Sequence, residues 1–321
     1  MTGMLAGFRR QCTSAMGEAN LPDPVHPPAG TRLSDFVSIV LPTHNGARYI
    51  AQSIRSCLEQ THPFWELIVV DDASTDGTLR VVQDFTDTRV RIVRLTANRG
   101  LPAALNAGFA AATGQYLTWT SDDNYYLPHA LERMLAVFHA HPDVGFVCAD
   151  QDFIDEQGTV VYHFDVDVPG GLLTHNSVNA CFLYRRVVQR CVGRYAEDMQ
   201  LAEDYEYWLR VSRRFRMYGL HETLYRYRLH ASTLTSRHGS ERARRVGAKA
   251  LRRHIRGLPW MDARTKALFC LNEVRQGRYH GRVVDSILYL ALAIAIAPQF
   301  AAARIVRKGG QRILRAVGIL K

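Results

Sequence analysis

From Phe36 onward the chain alternates short β-branched or aromatic runs with longer stretches in which apolar residues recur every three or four positions. Val37–Leu41, Trp65–Val70, Val90–Val93, Tyr116–Trp119 and Val144–Val147 read as strands, and the segments at about 47–60, 75–85, 101–112 and 128–140 read as helices. Strand followed by helix, repeated four times, predicts an α/β fold with a mainly parallel central sheet and crossover helices. Residues 1–34 carry Pro22, Pro24, Pro27, Pro28 and Gly30 without sustained periodicity and read as a flexible lead-in. The α/β domain is expected over residues 35–238, followed by a basic, partly apolar helical extension over 239–321.

Open sheets of this kind collect ligands at the carboxyl ends of their strands, where loops and helix N-termini present unpaired amides. Each of the first four runs is followed by a polar cluster: Pro42-Thr43-His44-Asn45-Gly46, then Asp71-Asp72-Ala73-Ser74-Thr75-Asp76-Gly77, then Asn98-Arg99-Gly100, then Ser121-Asp122-Asp123. Any one of these could simply cap a helix or form a turn. That reading is weakest for Asp122-Asp123, because adjacent carboxylates repel unless a cation or a donor sits between them. Asp72 could accept from a pyrimidine N–H, with Thr43 and Asn45 adding short polar contacts. Asp123 could hold a divalent cation, Mn²⁺ or Mg²⁺, against a diphosphate. A further helix is expected to begin near Glu203, placing Asp204, Trp208 and Val211 on one face and Glu203, Tyr207 and Arg210 on another.

Composition adds three constraints. With 321 residues and 47% apolar content the chain can bury a real core, so disorder throughout is excluded. Charge is uneven: residues 241–321 hold 18 Lys and Arg against 4 Asp and Glu, leaving 22 basic against 26 acidic residues in the rest. The six cysteines, Cys12, Cys57, Cys148, Cys181, Cys191 and Cys270, form no Cys-x-x-Cys pair or zinc-finger spacing and read as reduced thiols of a cytosolic protein. Met1–Asn20 lacks the apolar core of a secretory signal.

In the basic extension, Ile287–Ala297 is an unbroken apolar run, followed by Arg304, Arg307, Lys308, Arg312 and Arg315. It is short against the roughly 20 residues a membrane span needs. An interfacial helix gripping an anionic membrane surface fits it, with packing on the catalytic domain or a homo-oligomer partner as the main alternative. Arg242, Arg244, Arg245, Lys249, Arg252, Arg253 and Arg256 read as solvated helix sides, and no nucleic-acid-binding module accompanies them, so no nucleic acid is expected as a partner.

Taken together, Val37-Ser-Ile-Val-Leu-Pro-Thr-His-Asn45, Leu67-Ile-Val-Val-Asp-Asp-Ala-Ser-Thr-Asp-Gly-Thr78, Asn98-Arg-Gly100 with Asn106-Ala-Gly108, Ser121-Asp-Asp123 and Ala202-Glu-Asp204 resemble family 2 glycosyltransferases of the GT-A fold, over about residues 37–236. The stretch Thr120–Pro128 is similar to that of the spore-coat polysaccharide members. The resemblance implies a metal-dependent, inverting glycosyltransferase. Pro42, Thr43, Asn45, Asp72 and Asn98 would line the nucleotide-sugar site, with Asp122 on the ribose, Asp123 on the metal and Asp204 as catalytic base. His230 falls where relatives place a histidine near the diphosphate or metal; a strand-end histidine with only a structural bond is the other reading. Ser121 stands where the motif often has its first Asp, and Leu105 where an Arg often precedes Asn106. Asn176–Arg185 and Gly193–Tyr195 resemble the acceptor-side segments. The Gln-x-x-Arg-Trp element of polymerising members does not follow Asp204, which implies one transfer per encounter.

The expected acceptor is a glycan or lipid-linked hydroxyl in envelope or extracellular polysaccharide synthesis, with the protein peripheral on the cytoplasmic face of the membrane. A nucleotidylyltransferase would need a Gly-rich, Arg- and Lys-bearing loop after the first strand, which Pro42–Arg48 is not. A catalytically silent sugar-nucleotide-binding scaffold is the remaining alternative.

Overall fold

The computed structural model describes residues 35–234, 239–279 and 283–307. The expected lead-in lies outside them. Strands β1 (Val37–Thr43), β2 (Trp65–Asp71), β3 (Val90–Arg94) and β4 (Tyr116–Trp119) begin where the β-branched runs begin. They pair in parallel in the order β3-β2-β1-β4. Helices α1 (Ile50–Leu58), α2 (Thr78–Gln83) and α3 (Leu101–Ala111) make the crossovers. Every residue of β1 and β2 is buried, as expected of strands covered on both faces. Gly108 lets α3 lie close on that sheet: a Cβ there would sit 2.4 Å from Val40 and 2.9 Å from Val70.

At the amino end of these strands a buried ion pair ties three elements together. Glu66 accepts from Arg91, from the Ser38 hydroxyl and from the backbone N–H of Thr113. A charge buried this way needs all of its partners, because removing one leaves the other uncompensated. Tyr116, Arg185 and Phe138 close the same end through ring and guanidinium contacts.

Beyond β4 the sheet departs from the expected mainly parallel arrangement. After β5 (Tyr125–Tyr126) and α4 (Ala130–Ala140), the long strand β6 (Val144–Ile154) does not pair with β4. Instead β8 (Phe182–Arg185), reached after the edge strand β7 (Val160–Phe164), inserts between them antiparallel to both. Helix α5 (Arg186–Val192), helix α6 (Glu203–Val211) and strand β9 (Arg216–Arg228) follow, and β9 runs parallel to β6 and antiparallel to β5. The sheet of the described residues is thus parallel on one side and mixed on the other. The strand-ends of the parallel half and the end of β9 face a common cavity.

The basic extension is helical in its described parts: α7 (Ser240–His254), α8 (Ala263–Tyr279), α9 (Val283–Ile296) and α10 (Pro298–Arg307). Ala250, Leu251, Ile255, Cys270, Tyr289, Leu290 and Ala293 join the same buried cluster as Trp208 and Phe182. The apolar run is therefore divided. One side of α9 packs on protein, while Val284, Ile287, Leu288 and Ile294 are exposed, and Pro298 starts a new helix. Among the described residues no helix is long and apolar enough to cross a membrane. Cys57, Cys148, Cys181 and Cys270 are buried free thiols, and burial pushes Cys57 and Cys270 up to about 12, where they are chemically quiet.

Candidate active site

The cavity has a volume of about 480 Å³ and is lined by Pro42, Thr43, Asn45, Asp72, Asn98, Asp122, Asp123, Asp204 and His230, all nine residues singled out from the sequence. Its floor is stitched together by short polar side chains at the strand ends. The Asn45 side-chain oxygen accepts from the backbone N–H groups of Thr75 (2.8 Å) and Asp76 (3.3 Å), binding the loop after β1 to the loop after β2. The Asp72 carboxylate accepts from the backbone N–H groups of Arg99 and Gly100, both at 2.8 Å, and so fixes the loop after β3. Asn98 caps the same Gly100 N–H at 3.1 Å. The sequence reading gave Asp72 to a base; here it also orders the wall against which a base would lie.

Asp122 and Asp123 follow β4. Asp122 accepts from the Thr43 hydroxyl at 2.5 Å, an arrangement that requires Gly46 beside it: a Cβ at position 46 would lie 2.0 Å from the Asp122 carboxylate and 2.7 Å from the Thr43 hydroxyl. Burial, and next the charge of Asp123, push Asp122 well above the usual carboxylate range. Asp123 Oδ2 lies 2.9 Å from His230 Nε2, while His230 Nδ1 meets the Ser232 hydroxyl at 2.7 Å. A carboxylate and an imidazole nitrogen at this separation, beside a second carboxylate strained by like charge, form a donor set that suits a divalent cation. Tyr49 tilts over the His230 ring at 5.2 Å, and the Arg228 guanidinium lies 4.8 Å from the Tyr49 ring while donating to the Asp123 carbonyl. Neither Tyr49, which lines the cavity, nor Arg228, the last residue of β9, is singled out by the sequence.

On the other side of the cavity, α6 opens with Glu203 and Asp204. Asp204 Oδ2 accepts from the Asn176 amide at 2.6 Å and Oδ1 from the Tyr205 N–H at 2.7 Å. Burial raises Asp204 above the ordinary aspartate value, against the opposing pull of those two donors. Glu203 is raised too, first by burial and then by the charge of Asp204, and its carboxylate accepts from the Leu201 N–H. Arg210 pairs with Glu206 one turn back on α6. Leu105 is fully buried in the core, so its position on α3 offers nothing to the cavity.

Among the described residues, four other than glycine hold a positive φ: Asn45 (60°), Ala73 (58°), Asn179 (57°) and Leu201 (81°). Asn45, Asn179 and Leu201 line the cavity and Ala73 follows Asp72. Backbone strain of this kind costs on the order of 1–3 kcal/mol per residue and persists where the surrounding structure enforces it, commonly at binding sites. Leu201 and Asn179 carry no sequence signal of that role. Apart from this cavity, Asp150, Asp165 and His221 bring one donor atom each within 4.8 Å of one another, and none of the three lines it.

Residues 38–193 match the sequence model of glycosyl transferase family 2. The putative glycosyltransferase EpsE of Bacillus subtilis (strain 168) is 31% identical over 201 residues, which cover 60% of this chain and 72% of that protein. The chain belongs to family 2 of the glycosyl transferases. The putative teichuronic acid biosynthesis glycosyltransferase TuaG of the same organism is 28% identical over 213 residues, covering 64% of this chain and 84% of that one. S. aureus TarS 1–349 in complex with UDP-GlcNAc superposes with a TM-score of 0.67 at 19% identity, over 88% of this chain and 87% of that one. The mannosyltransferase PcManGT of Pyrobaculum calidifontis, in complex with GDP-Man and Mn²⁺, gives 0.53 at 18% identity over 94% and 90%. These likenesses establish the GT-A fold, with its mixed sheet flanked by helices.

The packing around Gly46 yields a direct test. Gly46→Ala should force Asp122 and Thr43 apart and lower stability by about 1–3 kcal/mol, as overpacking does, read as a lower urea midpoint at unchanged slope. An unchanged midpoint would mean that the loop after β1 has slack at Asp122.

Proposed function

We propose that this chain moves one sugar from a nucleotide-diphosphate donor, a UDP-sugar, to a hydroxyl of a glycan or lipid-linked acceptor, with inversion at the anomeric carbon. The observation that carries the reading is the shared cavity. It has a cation-suited Asp123–His230 pair on one side and the raised, amide-held carboxylate of Asp204 on the other. Thr43, Asn45, Asp72 and Asn98, with Pro42 beside them, form the wall for the base and ribose, and Asp122 sits where a ribose hydroxyl would replace the Thr43 bond.

Asp123 and His230 would hold Mn²⁺ or Mg²⁺, which when bound neutralises the charge that grows on a departing diphosphate. Asp204 takes the proton of the acceptor hydroxyl as that oxygen attacks the anomeric carbon and the bond to the diphosphate breaks. The Asn176 amide and the Tyr205 N–H hold one Asp204 oxygen each, which fixes the plane of the carboxylate and leaves a lone pair for the acceptor proton. The raised proton affinity of Asp204 makes it a better base than an exposed aspartate at neutral pH, at the cost of a smaller ionised fraction. One displacement inverts the configuration. Support for a cell-wall or extracellular polysaccharide role comes from the relative named for teichuronic acid biosynthesis, and for UDP from the TarS complex.

The extension adds a location. The exposed stripe of Val284, Ile287, Leu288 and Ile294 on α9, in a segment with 18 basic against 4 acidic residues, suits docking on an anionic lipid surface at the cytoplasmic face of the membrane.

Three outcomes are expected. Asp204→Asn should keep donor affinity within a few-fold while turnover falls by about 10²–10⁴. In the unaltered protein the acid limb of the pH–rate profile should lie above the ordinary aspartate range, because Asp204 must lose its proton to act and burial raises the pH at which it does so. Full turnover in Asp204→Asn would remove the residue from the chemistry. For the surface, the protein should co-sediment with phosphatidylglycerol vesicles and not with phosphatidylcholine vesicles. Ile287→Asp with Leu288→Asp should stay in the supernatant; equal sedimentation of the variant would contradict docking through α9.

A further inference from the structure

Away from the cavity, β6, β7 and β9 bring two histidines and three aspartates together. Asp150 and Asp152 stand two residues apart on β6 and share a face of the sheet. His163 on β7 lies directly opposite Asp152. On β9 the register slips: Leu220 pairs with Ala149 and Thr223 with Asp150, so His221 and Glu222 have no partner on β6. A bulge of this kind re-aims a side chain, and here it brings His221 Nδ1 to 3.4 Å from Asp150 Oδ2. Asp165, just past the end of β7, places Oδ1 3.3 Å from His163 Nε2, which is itself 4.0 Å from Asp150 Oδ2. Donor atoms of Asp150, Asp165 and His221 all lie within 4.8 Å of one another.

Exposed acids and histidines ordinarily form solvated ion pairs of little consequence, and Asp165 with His221 alone would be no more than that. Two observations set this group apart. Asp150 is only 3% exposed, and its Oδ1 accepts from the Val166 N–H at 2.8 Å. Among the described residues no hydrogen bond reaches its Oδ2, which faces the two imidazoles. A buried carboxylate oxygen left without a donor is costly unless something else meets it. The second observation is that His163 Nδ1 is held by Asp152 at 2.6 Å, and Asp152 in turn pairs with Arg226. Nε2 is thereby turned toward Asp150 and Asp165, the carboxylate–histidine arrangement that orients a metal-ligating ring. The spacings agree with that use. Separations of 3.3 and 3.4 Å exceed the roughly 2.7–3.2 Å of an N–H···O hydrogen bond. They match the edge, about 3.3 Å, of a tetrahedron whose corners lie about 2.0–2.1 Å from a zinc ion.

We propose that Asp150, His163, Asp165 and His221 bind a zinc ion at a structural site separate from the cavity. Two imidazoles and two carboxylates suit a borderline ion in four-coordination, whereas Mg²⁺ and Ca²⁺ favour oxygen ligands in higher number. The ion joins β6, β7 and β9 where the bulge interrupts their ladder. It also pins the segment after β7: Val166 is bonded to Asp150, and the Asp167 N–H donates to the Ser177 carbonyl at 3.2 Å. The base of the turn between residues 167 and 177 is thus tied to the ribbon through Asp150. None of the four ligands lines the cavity, so the site stands independently of the sugar-transfer reading.

Calorimetric titration of Zn²⁺ into the full chain, free of any histidine tag, tests the site. Asp123→Ala with His230→Ala serves as the reference, because it removes the cation donors of the cavity. The reference should bind zinc, and its thermal midpoint should rise with zinc, since a ligand of the folded state stabilises that state. Adding His163→Ala or His221→Ala should lower zinc affinity at least about tenfold. Both side chains are substantially exposed, 43% and 68%, so neither change disturbs the core. Adding His129→Ala, an exposed histidine beside Glu132, should change nothing. Co²⁺ in place of zinc should give the strong visible absorption of four-coordinate cobalt in the reference and in the unaltered chain, and lose it in His221→Ala. Absence of zinc binding by the reference overturns the site. So does undiminished affinity in either His163→Ala or His221→Ala, and so does an equal loss in His129→Ala, which would mean scattered binding to surface histidines.

Discussion

Two neighbouring carboxylates at the end of one strand set the terms for the rest of the structure. Burial, and next the charge of Asp123, raise the cost of ionising Asp122. The protein answers with a hydroxyl on one and an imidazole on the other, from β1 and from the turn after β9. Those two partners lie 79 and 107 residues away in sequence. The arrangement therefore exists only once both halves of the sheet have formed. Gly46 belongs to the same solution, since any side chain there would occupy the space of the Asp122 carboxylate.

The parallel half contributes rigidity. Its strands β1 and β2 are buried on both faces, the amino end is anchored by Glu66 and Arg91, and the strand-end loops are bonded to one another by Asn45 and Asp72. The mixed half contributes reach. β6 and β9 are 11 and 13 residues long, and β9 carries Tyr227 and the turn to His230 to the cavity. Asp204 enters from a third direction, on the first turn of α6. Its proton affinity is a balance between burial, which raises it, and two hydrogen-bond donors, which lower it.

The residues that were legible in the sequence were those whose role is local. Strand starts at Val37, Trp65, Val90 and Tyr116 follow from β-branched runs, and the cavity residues follow from standing directly after strand ends. Helix α2 is shorter than its periodicity predicts, Thr78–Gln83 rather than about 75–85. The Thr75 and Asp76 amides are spent on Asn45, and the Asp76 side chain caps Thr78. The insertion of β8 between β4 and β6 was not legible, because pairing order depends on which faces are left to bury and not on any property of Phe182–Arg185. Nor was the division of the Ile287–Ala297 run, one side of which finds a core to join. The likeness to family 2 supplied the roles of Asp123 and Asp204; periodicity alone supplied only their placement at a strand end and a helix start.

The most direct test of this account is the affinity of the purified protein for UDP, measured by calorimetry with Mn²⁺ and with chelator, in the unaltered chain and in Asp123→Ala. With the proposed cation held by Asp123 and His230 between the carboxylates and the diphosphate, UDP should bind at least about tenfold more tightly with Mn²⁺, a difference of roughly 1.4 kcal/mol. That gain should disappear in Asp123→Ala. Equal affinity with and without metal in the unaltered chain would contradict it.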